Sequence, residues 1–361
     1  MTKIKNTFLV KVLLVTVYAT GLLFLNAAPI SAHDAQDLQF IVDEYIQKFS
    51  GSILVARNGE VLVKKGYGMA NYEHDIPNTP QTIFRIGSVT KQFTATAIMQ
   101  LQERGLLSVD DSLAKYIPDY PNGDKITLHH LLSHTSGIVN ISSIPEHRTN
   151  LMLPTPLEKT ISLFKNKPLE FSPGERFKYC NSGYQLLGYI IEKVSGKSYE
   201  EFLEENIFQP LDMADSGMDK HSTILKNRAA GYTHDENNIL INAPYMNAPV
   251  TFAAGSLYST VEDLYRWDRA LYTEKILKKA SLDKMFTPNK GNYGYGWRIH
   301  EILNHKCIHH AGGQYGFQAN IARFVDDDTC IILLSNVLPV KLRKIFEDIT
   351  AFVLDEKIES P

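Results

Sequence analysis

Apolar side chains recur along this chain with two periods, and the points where one period gives way to the other lay out the fold. In "DAQDLQFIVDEYIQKFS", Leu38, Ile41, Val42, Tyr45 and Phe49 fall on one helical face. "GSILVARNGEVLVKKGYG" then reads as two strands around Asn58-Gly59, a dipeptide that favours the tight turn of a hairpin. From about Ser88 to Ala270 the text is helical and loop-rich, and "STVEDLYRWDRALY" opens with a capping box from Ser259 to Glu262. The pattern then returns to strands in "YGYGWRI", "HKCIHH", "GFQANIARFV" and "TCIILLSN", with a turn at Asp326 to Asp328 before the last. "VKLRKIFEDITAFVLDEK" is a closing amphipathic helix.

Strands therefore sit at both ends of the chain and helices fill the middle. This order predicts an α/β fold of the α+β type. One antiparallel sheet is built from both chain ends and flanked by helices, with a helical subdomain inserted between its halves. The sheet part is expected over 33–100 and 250–361, and the helical part over about 101–249. A cleft between two such parts is a common ligand site.

Composition adds little to this picture: 44% of the 361 residues are hydrophobic and 21% charged, as in ordinary globular proteins. The first 32 residues stand apart. Lys3, Lys5 and Lys11 precede an uncharged, mostly apolar run from Val12 to Leu25, and small residues follow. That run is shorter than the roughly 20 residues a membrane span needs, so residues 1–32 read as a secretory signal peptide cut near Ala32. An uncleaved N-terminal anchor is the alternative, and would be the chain's one attachment to a membrane. Either way the expected location is secreted, on the periplasmic or extracellular face of the cell envelope. Without this segment the chain carries 34 basic and 40 acidic residues, a net charge of −6. No basic run survives, which argues against a nucleic-acid partner. Cys180, Cys307 and Cys330 are too few for a disulfide scaffold and are expected as free thiols, although Cys307 and Cys330 could face each other on neighbouring strands.

Candidate chemistry begins with "FRIGSVTKQFTATAIMQLQERG". Between Arg85 and Glu103 its only charged side chain is Lys91, three residues after Ser88. On a helix that spacing puts hydroxyl and amine on one face. A lysine kept from water loses its preference for charge and can take a proton from serine. The free N–H groups of a helix start favour an oxyanion. Ser112/Lys115, Ser162/Lys165 and Ser281/Lys284 share the spacing, but they lie in charged text and read as solvated helix faces. Tyr179 and Asn181, in a loop after Pro173-Gly174, form a second candidate. A tyrosine near two ammonium groups can ionise and act as a base, and an asparagine can both donate to and accept from a substrate amide. Tyr120/Asn122 and Tyr245/Asn247 repeat that triplet, so a core tyrosine with a satisfied asparagine turn is the competing reading. His310-Ala311-Gly312 ends a β-like run, where glycine lets a ligand approach the backbone, or marks a simple strand-end turn. His130 and His134 have a metal-friendly spacing, but no glutamate lies between them and a structural loop is the better reading.

Taken in order, these three elements resemble the penicillin-recognising serine hydrolases. The branch is that of class C β-lactamases, low-molecular-mass D,D-peptidases and related esterases. "FRIGSVTKQFTA", "LLSHTSGI", "PLDMADSGM", "AAGSLYST" and "YGYGW" carry the resemblance over nearly the whole chain. It implies a β-lactamase/transpeptidase-like fold and an acyl-enzyme route without metal or cofactor. Ser88 would be the nucleophile, and Lys91 would activate it and shuttle protons. Tyr179 would be the partner base and protonate the leaving group. Asn181 would hold the substrate amide. His310 would stand in the place of the family's lysine, with a charge that varies around neutral pH. Gly312 would keep the strand edge open, and the N–H groups of Ser88 and Gly313 would form the oxyanion hole. His310, Ala311 in place of a threonine or serine, and Cys180 between Tyr179 and Asn181 are departures. The first two weaken recognition of a carboxylate and make an ester or neutral amide more plausible. The expected activity is that of a D,D-carboxypeptidase or β-lactamase-related hydrolase acting on peptidoglycan fragments or a small molecule. The alternatives are an esterase or amidase on small neutral substrates, and a non-catalytic peptidoglycan-binding relative.

Overall fold

A computed structural model of the protein describes Asp43 and residues 49–354. The signal segment 1–32 lies outside the described residues, as does the first helical face apart from Phe49. The hairpin forms as β1 (Gly51–Arg57) and β2 (Glu60–Tyr67), and its turn residues Asn58 and Gly59 both take positive φ, 52° and 77°. That pair of angles matches the right-handed twist of the strands it joins. β3 (Arg298–Ile302), β4 (His305–Gln314), β5 (Phe317–Phe324) and β6 (Thr329–Ser335) follow from the other end of the chain. All pair antiparallel in the order β3-β4-β5-β6-β1-β2, so β6 zips against β1 with Val55 opposite Ile331. The antiparallel sheet built from both chain ends is the expected one.

The runs in β1 and β6 are apolar without alternation because both faces of the sheet are covered. Leu54, Ala56, Ile332 and Leu334 face the helical body, while Ile53, Val55, Ile331 and Leu333 face the closing helix. α1 (Thr90–Glu103) packs against α2 (Asn181–Ser195), while α3 (Val261–Ala270) and α4 (Leu342–Val353) lie on the sheet. α1 is buried on every side from Thr90 to Leu101, which is why its text carries no amphipathic stripe. Ser88 precedes it, in a 3-10 turn over Gly87–Val89.

Two expectations are corrected. The cap of α3 is Thr260, whose hydroxyl accepts from the Asp263 N–H at 3.1 Å, one residue later than the Ser259 to Glu262 box. Ser259 instead ends a short strand, and its hydroxyl shares a buried 2.7 Å hydrogen bond with Ser216. Cys307 and Cys330 do not face each other, because β5 runs between their strands and their side chains enter opposite core clusters. All three cysteines are free and buried.

The edge of β4 lies directly against the turn that carries Ser88. A Cβ on Gly312 would stand 1.9 Å from the Ile86 carbonyl oxygen, so only glycine permits this approach. Gly313 is different, with nothing within 4 Å of its Cβ position. Gly312→Ala is therefore expected to destabilise the fold by about 1–3 kcal/mol through forced backbone movement. Gly313→Ala should stay within about 0.5 kcal/mol of the wild type. Thermal unfolding of both variants checks this, and equal melting temperatures would refute the packing argument.

Candidate active site

Ser88 is half-buried at the end of the strand–turn that leads into α1, and Lys91 follows on the first turn of that helix, fully buried. The amine reaches three oxygens: Ser88 Oγ at 3.1 Å, Asn181 Oδ1 at 2.8 Å and the Ala254 carbonyl at 2.6 Å. The last comes from a distant segment, which arrives through Phe252 at a φ of 42°, unusual for a bulky residue. No carboxylate pairs with Lys91 among the described residues, and burial pushes its pKa well below 10.5. A neutral amine has two N–H groups and one lone pair. The carbonyl and the Asn181 oxygen can only accept, so they take the two N–H groups, and the lone pair is left for the Ser88 hydroxyl. Such a pair can move the serine proton to nitrogen as the oxygen attacks a carbonyl carbon.

Tyr179 lies beside this pair, with Lys91 Nζ 4.9 Å from its ring centre. Its hydroxyl is buried without a hydrogen-bond partner. Burial raises its pKa, and the nearby Ser88 hydroxyl and the Arg298 guanidinium offset this only in part. The reading of Tyr179 as an ionised base is corrected accordingly. Burial lowers the pKa of Lys91, one of the two ammonium groups it required, and raises that of the phenol, which favours the protonated phenol as a donor.

Asn181 opens α2. Its side-chain N–H donates to Ser142 Oγ at 2.8 Å and its backbone N–H to Asn140 Oδ1 at 3.0 Å. The amide is thus already oriented by Lys91 on one side and Ser142 on the other. Gly313 stands across from the serine turn. A Cβ on Gly87 would lie 2.7 Å from the Gly313 nitrogen, and one on Gly312 would lie 3.0 Å from the Ser88 nitrogen. The two backbone N–H groups are therefore close together at the mouth of a cleft of about 290 Å³. Ser88, Ser142, Asn181, Gly313, Gln314 and Tyr315 are among the residues lining it. Lys91 and Tyr179 adjoin Ser88 without lining that space.

His310 departs most from expectation. It is 2% exposed, and its Nδ1 donates to the Ala311 carbonyl at 2.7 Å, so Nε2 accepts from the Tyr293 hydroxyl at 2.9 Å. Burial holds its pKa well below 6.5. The expected charge change around neutral pH is corrected: the imidazole stays neutral there, its nitrogens already engaged. Arg298 on β3 offers a positive charge beside Tyr179. Its guanidinium carbon is 5.7 Å from the Tyr179 ring centre and 5.8 Å from that of Tyr293, with no ion pair among the described residues. Sequence reasoning passed over Arg298, since only the pairing of β3 with β4 brings it here.

His134 contributes more than the spacing implies. It is buried at a φ of 58°, its ring centre 4.3 Å from that of Tyr179, and its Nδ1 accepts from the Cys180 N–H at 3.1 Å. It lies in the expected structural loop, after the short helix Leu128–Leu132, and from there supports the Tyr179–Asn181 segment. His130 turns its Nδ1 onto the Thr127 N–H as a helix cap.

A serine–lysine pair, a buried tyrosine and paired backbone amides against a sheet edge define a serine hydrolase site on this fold. The beta-lactamase family model matches residues 41–349, and the chain belongs to that family of serine hydrolases. PbpX of Bacillus subtilis (strain 168) is 34% identical over 302 residues, 82% of this chain and 73% of that protein. The octameric penicillin-binding protein homologue from Pyrococcus abyssi is 34% identical with a TM-score of 0.80, covering 90% of this chain and 78% of that one. The D-amino acid amidase of Ochrobactrum anthropi SV3 also reaches a TM-score of 0.80 over 90% of this chain and 100% of that one. At 22% identity that likeness is one of fold.

Neutrality of Lys91 has a measurable sign. Below 10.5 the unfolded chain holds the lysine proton that the folded chain has released, so the unfolded state binds more protons and stability rises with pH. The difference in unfolding free energy between wild type and Lys91→Met is expected to grow as pH rises toward 10.5. Its slope should approach about 1.4 kcal/mol per pH unit. Denaturant titrations at several pH values measure it, and a flat difference would mean that the folded protein keeps the ammonium.

Proposed function

We propose that the protein is a cell-envelope hydrolase of the penicillin-binding-protein type, cleaving a peptide with a free terminal carboxylate through an acyl-enzyme on Ser88. The observation that carries this reading is the fully buried Lys91 amine, 3.1 Å from the Ser88 hydroxyl and without an acid partner among the described residues. In the first step Ser88 Oγ bonds to the substrate carbonyl carbon while its proton moves to Lys91 Nζ. The N–H groups of Ser88 and Gly313 receive the negative charge on the carbonyl oxygen. When the tetrahedral species collapses, the Tyr179 hydroxyl gives its proton to the departing amine and recovers one from Lys91. Water then attacks the acyl ester with the same groups in reverse order. Asn181 holds the acyl-side amide once substrate displaces Ser142 as its partner. No step calls for a metal or a cofactor.

Arg298 supports the carboxylate end of this reading, because it offers a guanidinium that no acid neutralises, beside Tyr179. Relatives named for penicillin binding support it too. Location at the cell envelope rests on the signal-like residues 1–32. A second reading, hydrolysis of small neutral esters or amides, is favoured by one observation: His310 is neutral and Ala311 offers no hydroxyl.

The test is an intact-mass spectrum after exposure to benzylpenicillin, with Ser88→Ala alongside. A covalent adduct on the wild type alone is expected, or consumption of the drug without a lasting adduct. Ser88→Ala and Lys91→Ala should each lower kcat by about 10⁴-fold or more. Full turnover by Ser88→Ala would remove the mechanism. Arg298→Gln should raise KM for a D-alanyl-D-alanine peptide by about tenfold or more and leave that for a neutral ester unchanged. Equal effects on both substrates would favour the second reading.

A further inference from the structure

Next to the catalytic cleft lies a second cavity, of about 220 Å³, that the reaction described above does not use. Its floor is a group of three charges. Asp219 is buried and accepts from Arg85 Nε at 2.6 Å through one carboxylate oxygen and from Arg228 through the other. Two guanidiniums thus share one carboxylate, which leaves one positive charge in excess. Each guanidinium carries five N–H groups, and one from each goes to Asp219. Among the described residues neither has another recorded acceptor. Glu200 and Glu204 act on Tyr258 from outside the cavity lining; Glu200 is paired with Lys220, and Glu204 has no ion pair among the described residues.

Backbone pairing holds the arginines rigidly relative to the nucleophile. Arg85 is three residues before Ser88, in a strand paired with Tyr258. Arg228 bridges the preceding Ile83, where the Ile83 N–H donates to the Asn227 carbonyl at 2.9 Å and the Ala229 N–H to the Ile83 carbonyl at 3.0 Å. Met246 and Tyr315 line both this cavity and the cleft that contains Ser88, so the two spaces adjoin. Their volumes together suit one medium-sized ligand.

We propose that this cavity is an anion subsite of the catalytic cleft, taking a carboxylate that the substrate carries away from its scissile bond. The proposal rests on the hydrolase reading of Ser88. A guest carboxylate would turn two guanidiniums on one acid into two on two, with charge-assisted hydrogen bonds from N–H groups held in place by Asp219. Tyr245, Tyr315 and Phe317 supply apolar wall for the chain that connects that carboxylate to the reacting carbonyl.

The experiment uses mono-p-nitrophenyl esters of linear dicarboxylic acids, from glutaric to suberic, against methyl-ended esters of the same length. The wild type should favour the carboxylate-ended ester by about tenfold or more in kcat/KM at one or more lengths, with the preference falling as salt rises. Arg228→Gln should bring that ratio close to one. Lys226→Gln, an exposed neighbour outside the cavity, should keep it. Ratios at or below one at every length, or an unchanged preference in Arg228→Gln, would overturn the subsite while leaving the hydrolase reading intact. If no ester is cleaved faster by wild type than by Ser88→Ala, the hydrolase reading falls instead. Calorimetric titration of the Ser88→Ala protein with the matching mono-anilides, with and without Arg228→Gln, then decides the subsite. Tighter binding of the anionic anilide, lost with the arginine, supports it, and equal binding overturns it.

Discussion

The burial of one amine governs the arrangement around it. Lys91 lies where an ammonium would be strongly disfavoured, and two uncharged acceptors, rather than an acid, meet it there. A carboxylate partner would have restored its charge and removed its basicity. The acceptors come from the start of α2 and from the segment ending at Ala254, 90 and 163 residues away in sequence. Holding the amine neutral therefore requires both halves of the molecule to be folded. The site cannot exist as a local motif.

The same neutrality reorders the charges nearby. Burial pushes the Tyr179 phenol up and the His310 imidazole down, the latter engaged between Tyr293 and its own neighbouring carbonyl. Positive charge lies at the margins, on Arg298 at one side of the tyrosine, on Arg148 in the lining of the cleft and on the arginine pair around Asp219. The centre handles protons in a medium without net charge, and anions are met at the edges. This separation lets the interior groups exchange a proton without an ionic neighbour favouring one position over another.

Much of this was legible in the chain. Asn58-Gly59 marked the hairpin, unbroken apolar runs marked strands covered on both faces, and an uncharged helix with a single lysine marked the centre of the site. What stayed hidden depended on tertiary neighbours. The charge states of Tyr179 and His310 follow from burial, which spacing does not report. Arg298, Ser142 and His134 become relevant only through strand register and loop closure. The cap of α3 moved by one residue because Ser259 found a buried partner in Ser216. Cys307 and Cys330 were separated by a strand whose position in the sheet no local pattern gives.

The three thiols bear on more than connectivity. Each is shielded in a core, and burial raises the pKa of each, that of Cys307 to about 12. A thiol that stays protonated and enclosed is a poor nucleophile toward oxidants and disulfides. The fold is thus indifferent to the redox poise of its surroundings. It needs no oxidative catalyst to mature, it has no bridge for a reductant to undo, and its thiols would reach the same state on either side of a membrane.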